Sequence, residues 1–459
     1  MRRLIVLVST CAAAAAVSSA QAPPTIAEAA AQRRAALAAR VTQGIAIIQS
    51  ADRSQPNLYE YFPPTTEHHD FEYLTGLDRS RPPGSVLVLN PRGQTYREIL
   101  YTSDDVAAVK KATGIEHVFP YDSFLEHLSS AITDFRNLRI TQLRFKPLPS
   151  DISRGWGAGR KVVYFNYPRF TNLNEPSNPR MALVSRLQEA SPEIEMRDSA
   201  DLLDEMRMIQ DPYSLAQLRR AIAITGRGLM EAMRAAKPGL TTREVMEIAD
   251  FVYRLNGASL GFGTGVQAGL QGLPVYATSR EEHEAREGSQ LIRAGDLVWF
   301  DTGAAYRRYS ADIQRLVPAT GTFTAEQRKL YEIVANVQKT VIANVKPGAH
   351  WQELHDLAVK MLADAGGLDK SYTYGIGHFI GMEVHDHGDY VGPLKPGMVI
   401  AIEQGAILNG LRVAFEDDVL VTDKGYEWLT RFIPIDVAEI ERLKTEAPLF
   451  DATKLLVRP

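Results

Sequence analysis

The residues with the clearest chemical potential are carboxylates set where carboxylates are costly. Asp301 closes the apolar run LVWF, Glu403 closes VIAI, Glu416 follows VAF, and Asp312 stands just ahead of LVP. An ionised carboxylate in such a strand needs a cation or a dense set of donors. The segments GDLVWFDTG (295–303) and GMVIAIEQG (397–405) align without a gap, so Asp301 falls on Glu403. The second acid of each pair follows eleven and thirteen residues later, on the next strand-like run. Two pairs from two similar segments would therefore face one site. Arg315 and Arg412 lie near them in sequence, too few to neutralise four charges. Two divalent ions would, and oxygen ligands with one imidazole suit Mn, Co or Zn.

The imidazole comes from GIGHFIGMEVHDHGDY (375–390), where Gly375, Gly377 and Gly381 bring the backbone close and His378, His385 and His387 follow. A pair of ions acidifies a shared water and polarises a carbonyl, so this ligand set points to hydrolysis.

The elements that must position these residues form two regions. From residue 70 onward, apolar runs (SVLVLNP, REILYTS, KVVYFNY) alternate with helical stretches such as residues 123–136, the pattern of an α/β domain over residues 40–205. Residues 198–210 read as a loop-rich end to it. The second region, residues 207–445, opens with an amphipathic helix over 213–236, stopped by Lys237-Pro238-Gly239. That stop and the helix after it recur at Lys346-Pro347-Gly348. The period is too long for a solenoid, so two pseudo-symmetric halves around one site are expected. A short amphipathic helix is expected over 436–443.

Composition narrows the function classes. With 459 residues, 45% hydrophobic and 23% charged, the chain is neither disordered nor low-complexity. A net charge of −4 gives no basic stripe, so no nucleic-acid partner is expected. Arg2 and Arg3, an apolar run over 4–17 and small residues beyond it form a secretory signal pattern over residues 1–20, with cleavage after Ala20. The run is too short to span a bilayer. The expectation is an exported protein, periplasmic or secreted. Its single cysteine, Cys11, would be lost with the signal, leaving no disulfides.

The order Asp301, Asp312, His378, Glu403, Glu416, carried by FDTG, SADIQR, GIGHFIGMEVHD, IEQG and FEDD, resembles peptidase family M24, the methionine aminopeptidase, prolidase and aminopeptidase P group. The resemblance runs over about residues 207–430, and all five ligand positions match. HHDFEYLTGLDR (68–79), followed by GSVLVLNPRG, is similar to the creatinase/aminopeptidase P-type N-terminal domain. The resemblance implies an α/β (α+β) architecture with a duplicated pita-bread catalytic domain. It implies two divalent ions, manganese first and cobalt or zinc as alternatives. Asp312 and Glu416 would bridge them, Asp301 would chelate one, and His378 and Glu403 would complete the other. Glu403 would also be the general base, and His385 would contact a peptide substrate near the scissile bond. The implied activity is removal of an N-terminal residue that precedes proline by a metal-bridging hydroxide. The alternatives are an Xaa-Pro dipeptidase, or a metal-binding but catalytically impaired partner-binding member. Relatives suggest a homo-oligomer, dimer or tetramer.

Four positions depart from the family pattern. Tyr374 and Val275 stand where histidines are usual, Ala414 where an arginine is usual, and Gln404 where a proline is usual. The Tyr374 hydroxyl can still donate a proton or hydrogen bond. Arg412 shares a strand face with residues 414 and 416 by alternation, which makes it a substrate-binding candidate. His283, in the inserted-looking stretch REEHEAREG, is a further candidate for the site.

Overall fold

A computed structural model of the protein describes residues 22–50, 69–77, 84–133, 147–156, 161–168, 180–269, 290–372 and 375–449. The signal pattern, Tyr374, Val275 and His283 lie outside the described residues.

The N-terminal region is built on a mixed sheet of β1 (Ile45–Gln49), β2 (Ser85–Leu89), β3 (Glu98–Thr102), β4 (His117–Pro120), β5 (Val162–Phe165) and β6 (Glu195–Asp198) in the order β4-β3-β2-β1-β5-β6. The runs SVLVL and VVYF are buried throughout, as strands covered on both faces must be. Helix Ile26–Arg40 is opened by a capping box between Thr25 and Glu28 and buries Leu37 with Arg33 and Arg34. The stretch expected to be loop-rich is instead strand to Asp198 and then helix Ala200–Met208. That helix buries Leu203, Met206, Arg207 and Met208, and its acidic outer face conceals the apolar spacing.

The second region holds β7 (Ser259–Leu260), β8 (Gly265–Ala268), β9 (Leu297–Thr302), β10 (Ala304–Tyr306), β11 (Tyr309–Ser310), β12 (Ile313–Pro318), β13 (Gly377–Phe379), β14 (Val399–Leu408), β15 (Leu411–Thr422) and β16 (Gly425–Trp428). Its main sheet is antiparallel and runs β13-β14-β15-β12-β9-β8, with β16 also paired to β15. Helix Pro212–Ala235 starts within a residue of its expected position. Pro212 occupies its first turn, and Asp211 caps it by accepting the Ser214 amide.

The internal duplication is visible in backbone detail. Helices Thr242–Leu255 and Trp351–Asp364 are each fourteen residues long. They follow Gly239 and Gly348, which take φ of +90° and +85°. The equivalent strands β9 and β14 of the two halves follow Gly295 and Gly397 at +94° and +91°. A side chain is strained at such φ, so these glycines are fixed by conformation in both halves. Helix Ala325–Ala343 packs on β14 and β15 and buries Leu330, Tyr331, Val334 and Val341 in the core beneath the sheet. The opposite face is left for polar groups. Among the described residues no helix is long and apolar enough to cross a membrane.

Candidate metal centre

Directly paired residues on antiparallel strands project to the same face of a sheet. The register pairs Glu403 with Glu416, Glu416 with Gln314, Gln314 with Asp301, and Asp301 with Gly265. Three acids therefore stand in one transverse row across β14, β15 and β9, with Gln314 between them on β12. The neighbouring row places His378 opposite Ala401 and Ala401 opposite Asp418. Asp312 reaches this second row, where its amide donates to Asp418 Oδ2 (3.3 Å).

The five expected ligands converge. Asp301, Asp312 and Glu416 offer oxygens that all lie within 4.8 Å of one another, and so do the donor atoms of His378, Glu403 and Glu416. Asp312, His378 and His385 form a third such group. Glu416 belongs to the first two groups and Asp312 to the first and third.

Local sequence explains how the donors are aimed. Gly377 has φ +147°, and a Cβ there would stand 1.9 Å from the Ala401 carbonyl oxygen, so only glycine lets β13 pair closely enough to bring His378 over β14. His378 Nδ1 donates to the Phe379 carbonyl (3.1 Å), which turns Nε2 toward Glu416 Oε1 (3.1 Å) and Asp312 Oδ2 (3.5 Å). A second hydrogen bond of this kind fixes the tautomer of a metal-binding imidazole. Gln314 Nε2 donates to Glu416 Oε2 (2.7 Å) and holds that carboxylate in the row.

The electrostatics show a site short of positive charge. Burial, then the Glu416 and Glu403 charges, raises the Asp301 carboxyl well above the carboxylate range. Burial and Glu416 do the same to Asp312 and Asp418. Burial and Glu416 push Glu403 up to about 8. Burial works against charge on His378, yet its bonds to Asp312 and Glu416 outweigh it and raise that imidazole well above its usual value. The buried atoms Asp301 Oδ1, Asp312 Oδ1 and Asp418 Oδ1 have no hydrogen-bond partner among the described residues. Orphaned oxygens, an oriented Nε2 and excess negative charge are the donor set that divalent cations require.

The two nearby arginines do not relieve that charge deficit. Arg315 lies on the back of the sheet, wholly buried, bonded to Asp417 (2.6 Å) and to the carbonyls of Gln314, Glu416 and Pro434. Arg412 is on the site face with its guanidinium 4.7 Å from the Trp299 ring centroid. Its Nη1 is buried without a hydrogen-bond partner among the described residues, and its charge only partly offsets the upward shifts of Asp301 and Glu403. Ala414 is fully buried between Arg412 and Glu416 in sequence, opposite Gly405. Gln404 turns to the other face, where both its side-chain polar atoms are buried without partners among the described residues.

His385 borders the cluster, its ring centroid 4.3 Å from that of His378. One side of it is open to solvent, yet burial of the other side and the His378 charge lower its imidazole to about 4. His387 sits apart, its Nε2 4.0 Å from Glu383. Gln314 and Asp418 were not anticipated. Each lies two residues beyond an expected ligand, so strand alternation alone would have placed both on the site face.

Comparison with known proteins agrees with this geometry. Residues 216–423 match metallopeptidase family M24, and residues 30–139 match the aminopeptidase P N-terminal domain. The chain is 30% identical over 297 residues to Xaa-Pro aminopeptidase 2 of Streptomyces coelicolor, a match covering 57% of this chain and 60% of that one. It is also 30% identical over 260 residues to the Xaa-Pro dipeptidase of Pyrococcus furiosus, covering 54% of this chain and 71% of that one. The structure of Pseudomonas aeruginosa aminopeptidase PepP superimposes with a TM-score of 0.72 at 25% identity, covering 92% of this chain and 98% of that one. With an aminopeptidase P-type N-terminal domain ahead of a pita-bread catalytic domain, the chain belongs to metallopeptidase family M24.

Proposed function

We propose that the protein is a dinuclear-metal Xaa-Pro aminopeptidase, releasing the N-terminal residue from peptides whose second residue is proline. The observation that carries the reading is Glu416, shared by two overlapping donor groups that each span the reach of one ion. In this reading Asp312 and Glu416 would serve both ions, Asp301 would help hold one, and His378 with Glu403 would help hold the other. Manganese is the expected metal, with cobalt or zinc in its place according to supply. When bound, the ions supply Lewis acidity for the scissile carbonyl and lower the pKa of water.

The remaining steps belong to the chain. Glu403, which bound cations would leave ionised, would accept the proton of the attacking water and return it to the leaving amine. His385, neutral at pH 7, offers one N–H and one lone pair to the substrate beside the scissile bond. Arg412 offers a donor nitrogen without a partner among the described residues, suited to a peptide carbonyl or carboxylate. Tyr374 is proposed as an additional proton or hydrogen-bond donor in place of a histidine. The domain limits are proposed at residues 40–205 and 207–445, and residues 1–20 as an export signal.

Arg412 also supports a second reading, an Xaa-Pro dipeptidase, because its guanidinium nitrogen without a partner among the described residues suits the free carboxylate of a dipeptide. Purified protein loaded with Mn²⁺, Co²⁺ or Zn²⁺ and offered Xaa-Pro-Xaa tripeptides and Xaa-Pro dipeptides separates the two. Tripeptide cleavage supports the aminopeptidase, and cleavage of dipeptides alone selects the dipeptidase. No turnover with any of the three metals refutes both and leaves a metal-binding, catalytically impaired member.

A further inference from the structure

We infer that the N-terminal domain positions the His385-bearing loop of the catalytic domain through a buried Asp70–Arg207–Asp386 relay. Helix His69–Thr75 of the N-terminal domain is buried along its whole length, with His69, Asp70 and Glu72 among its buried polar residues. Asp70 Oδ1 accepts from Arg207 Nη1 (3.0 Å), and the side chains of both are 2% exposed. The other arm of the guanidinium, Nη2, donates to Asp386 Oδ1 (2.7 Å) and Glu383 Oε1 (3.2 Å). His69 Nδ1 lies 3.2 Å from the same Glu383 oxygen. One planar fork therefore ties an acid of the first domain to two acids that flank His385.

Asp386 in turn closes the arch that carries His385. Its Oδ2 accepts the Met382 amide (2.9 Å), its Oδ1 accepts the His387 amide (2.8 Å), and its own amide donates to the Phe379 carbonyl (2.9 Å). A Cβ at residue 381 would stand 2.2 Å from Asp386 Oδ2, so Gly381 is what lets the arch close on that carboxylate. His378 begins the arch and His385 lies near its end, their rings in edge contact. Of these two, His378 is anchored by sheet pairing and its Phe379 bond. His385 takes its place from the arch, and the arch from Asp386. Lysine cannot reproduce the two-armed contact, because an ammonium is a point charge without the fork. Asp70 and Arg207 are thus positioning residues for a substrate-contacting histidine, and through them the N-terminal domain contributes to the proposed active centre.

The test compares Asp70→Asn and Arg207→Lys with Glu72→Gln. The last weakens a different ion pair on the same helix, to Arg308 (3.3 Å). Hydrogen exchange at the Met382 and His387 amides is expected to rise about tenfold or more in Asp70→Asn and to stay unchanged in Glu72→Gln. Metal content should remain that of the parent. The kinetic arm rests on the peptidase reading: kcat for an Xaa-Pro tripeptide should fall by up to about 10²-fold with KM little altered, the cost of a misplaced side chain. Should Arg207→Lys fail to fold, Asp70→Asn carries the same readouts. The relay is overturned if exchange in the arch is unchanged in Asp70→Asn, if Glu72→Gln loosens it equally, or if metal is lost in step with activity. A parent protein without peptidase activity would refute the proposed function while the exchange measurement still decides the relay.

Discussion

Substituting Glu416 by Gln tests the heart of the site, because that residue alone lies in both the Asp301/Asp312 group and the His378/Glu403 group. The change is nearly isosteric, and Glu416 is 1% exposed, so no cavity is opened. It removes one negative charge from the centre of the acid row and sets an amide beside Gln314 Nε2, which now donates to Oε2 at 2.7 Å. Both ions should therefore be lost or weakened, whereas Asp301→Asn, outside the His378/Glu403 group, should release one and keep the other. The linkage can be worked through. An ion present at about 100 times its dissociation constant stabilises the folded state by about 2.7 kcal/mol, and a 100-fold weaker site at the same concentration by only about 0.4 kcal/mol. Glu416→Gln should thus forfeit roughly 2 kcal/mol of metal-dependent stabilisation per site while leaving the metal-free protein no less stable, since a buried like charge has gone. Metal content after desalting, with thermal unfolding with and without Mn²⁺, reads both quantities. Two ions retained per chain in Glu416→Gln, or equal losses in Glu416→Gln and Asp301→Asn, would refute the shared-ligand assignment.

The metal-free protein should unfold at a lower temperature at pH 8 than at pH 6.5. Folded Glu403 keeps its proton up to about pH 8, whereas the unfolded chain has released it far below, so stability drains away as pH rises through that range, and Mn²⁺ should reverse the trend; a midpoint that climbs with pH would contradict it. Gly377→Ala should cost at least about 1 kcal/mol in denaturant titration and weaken metal binding, because its Cβ would collide with the Ala401 carbonyl beside His378. Asp417→Ala strands the Arg315 guanidinium in a site with no exposure, and a loss of about 3–5 kcal/mol is expected by the same titration.

Much of the metal site was legible because its residues break a pattern. An acid at the end of LVWF or VIAI contradicts the burial its neighbours promise, and two such contradictions in aligned segments single out a common centre. Glycines carried the duplication for the same reason, since Gly239 and Gly348 must adopt a backbone conformation that side chains resist. The less legible features depend on distance along the chain. Nothing local couples Asp70 to Arg207, 137 residues away, and the helix containing Arg207 reads as a loop because acidic residues dilute its apolar face. Arg315 illustrates a signal present but not used. Residue 315 alternates with Gln314, so it faces away from the acids it seemed placed to neutralise.

The two faces of the main sheet settle buried charge in opposite ways, and that contrast gives the strongest physical reason for a metal. Behind the sheet, Arg315 and Asp417 are both at zero exposure, and their donors and acceptors meet each other, the Thr430 hydroxyl, the Gln338 amide and backbone carbonyls. The pair satisfies its own donors and acceptors and locks β12 to β15 at the level of Glu416. In front, Asp301, Asp312, Glu403, Glu416 and Asp418 gather around the imidazoles of His378 and His385, and the Arg412 guanidinium leans on Trp299. A fold able to bury a complete ion pair a few ångströms away has not done so here. With only protons to relieve them, the carboxyls of Asp301, Asp312 and Asp418 are driven well above the usual carboxylate range by burial and the Glu416 charge. Divalent cations give the same relief while leaving the carboxylates ionised, the state in which Glu403 can accept a proton from water.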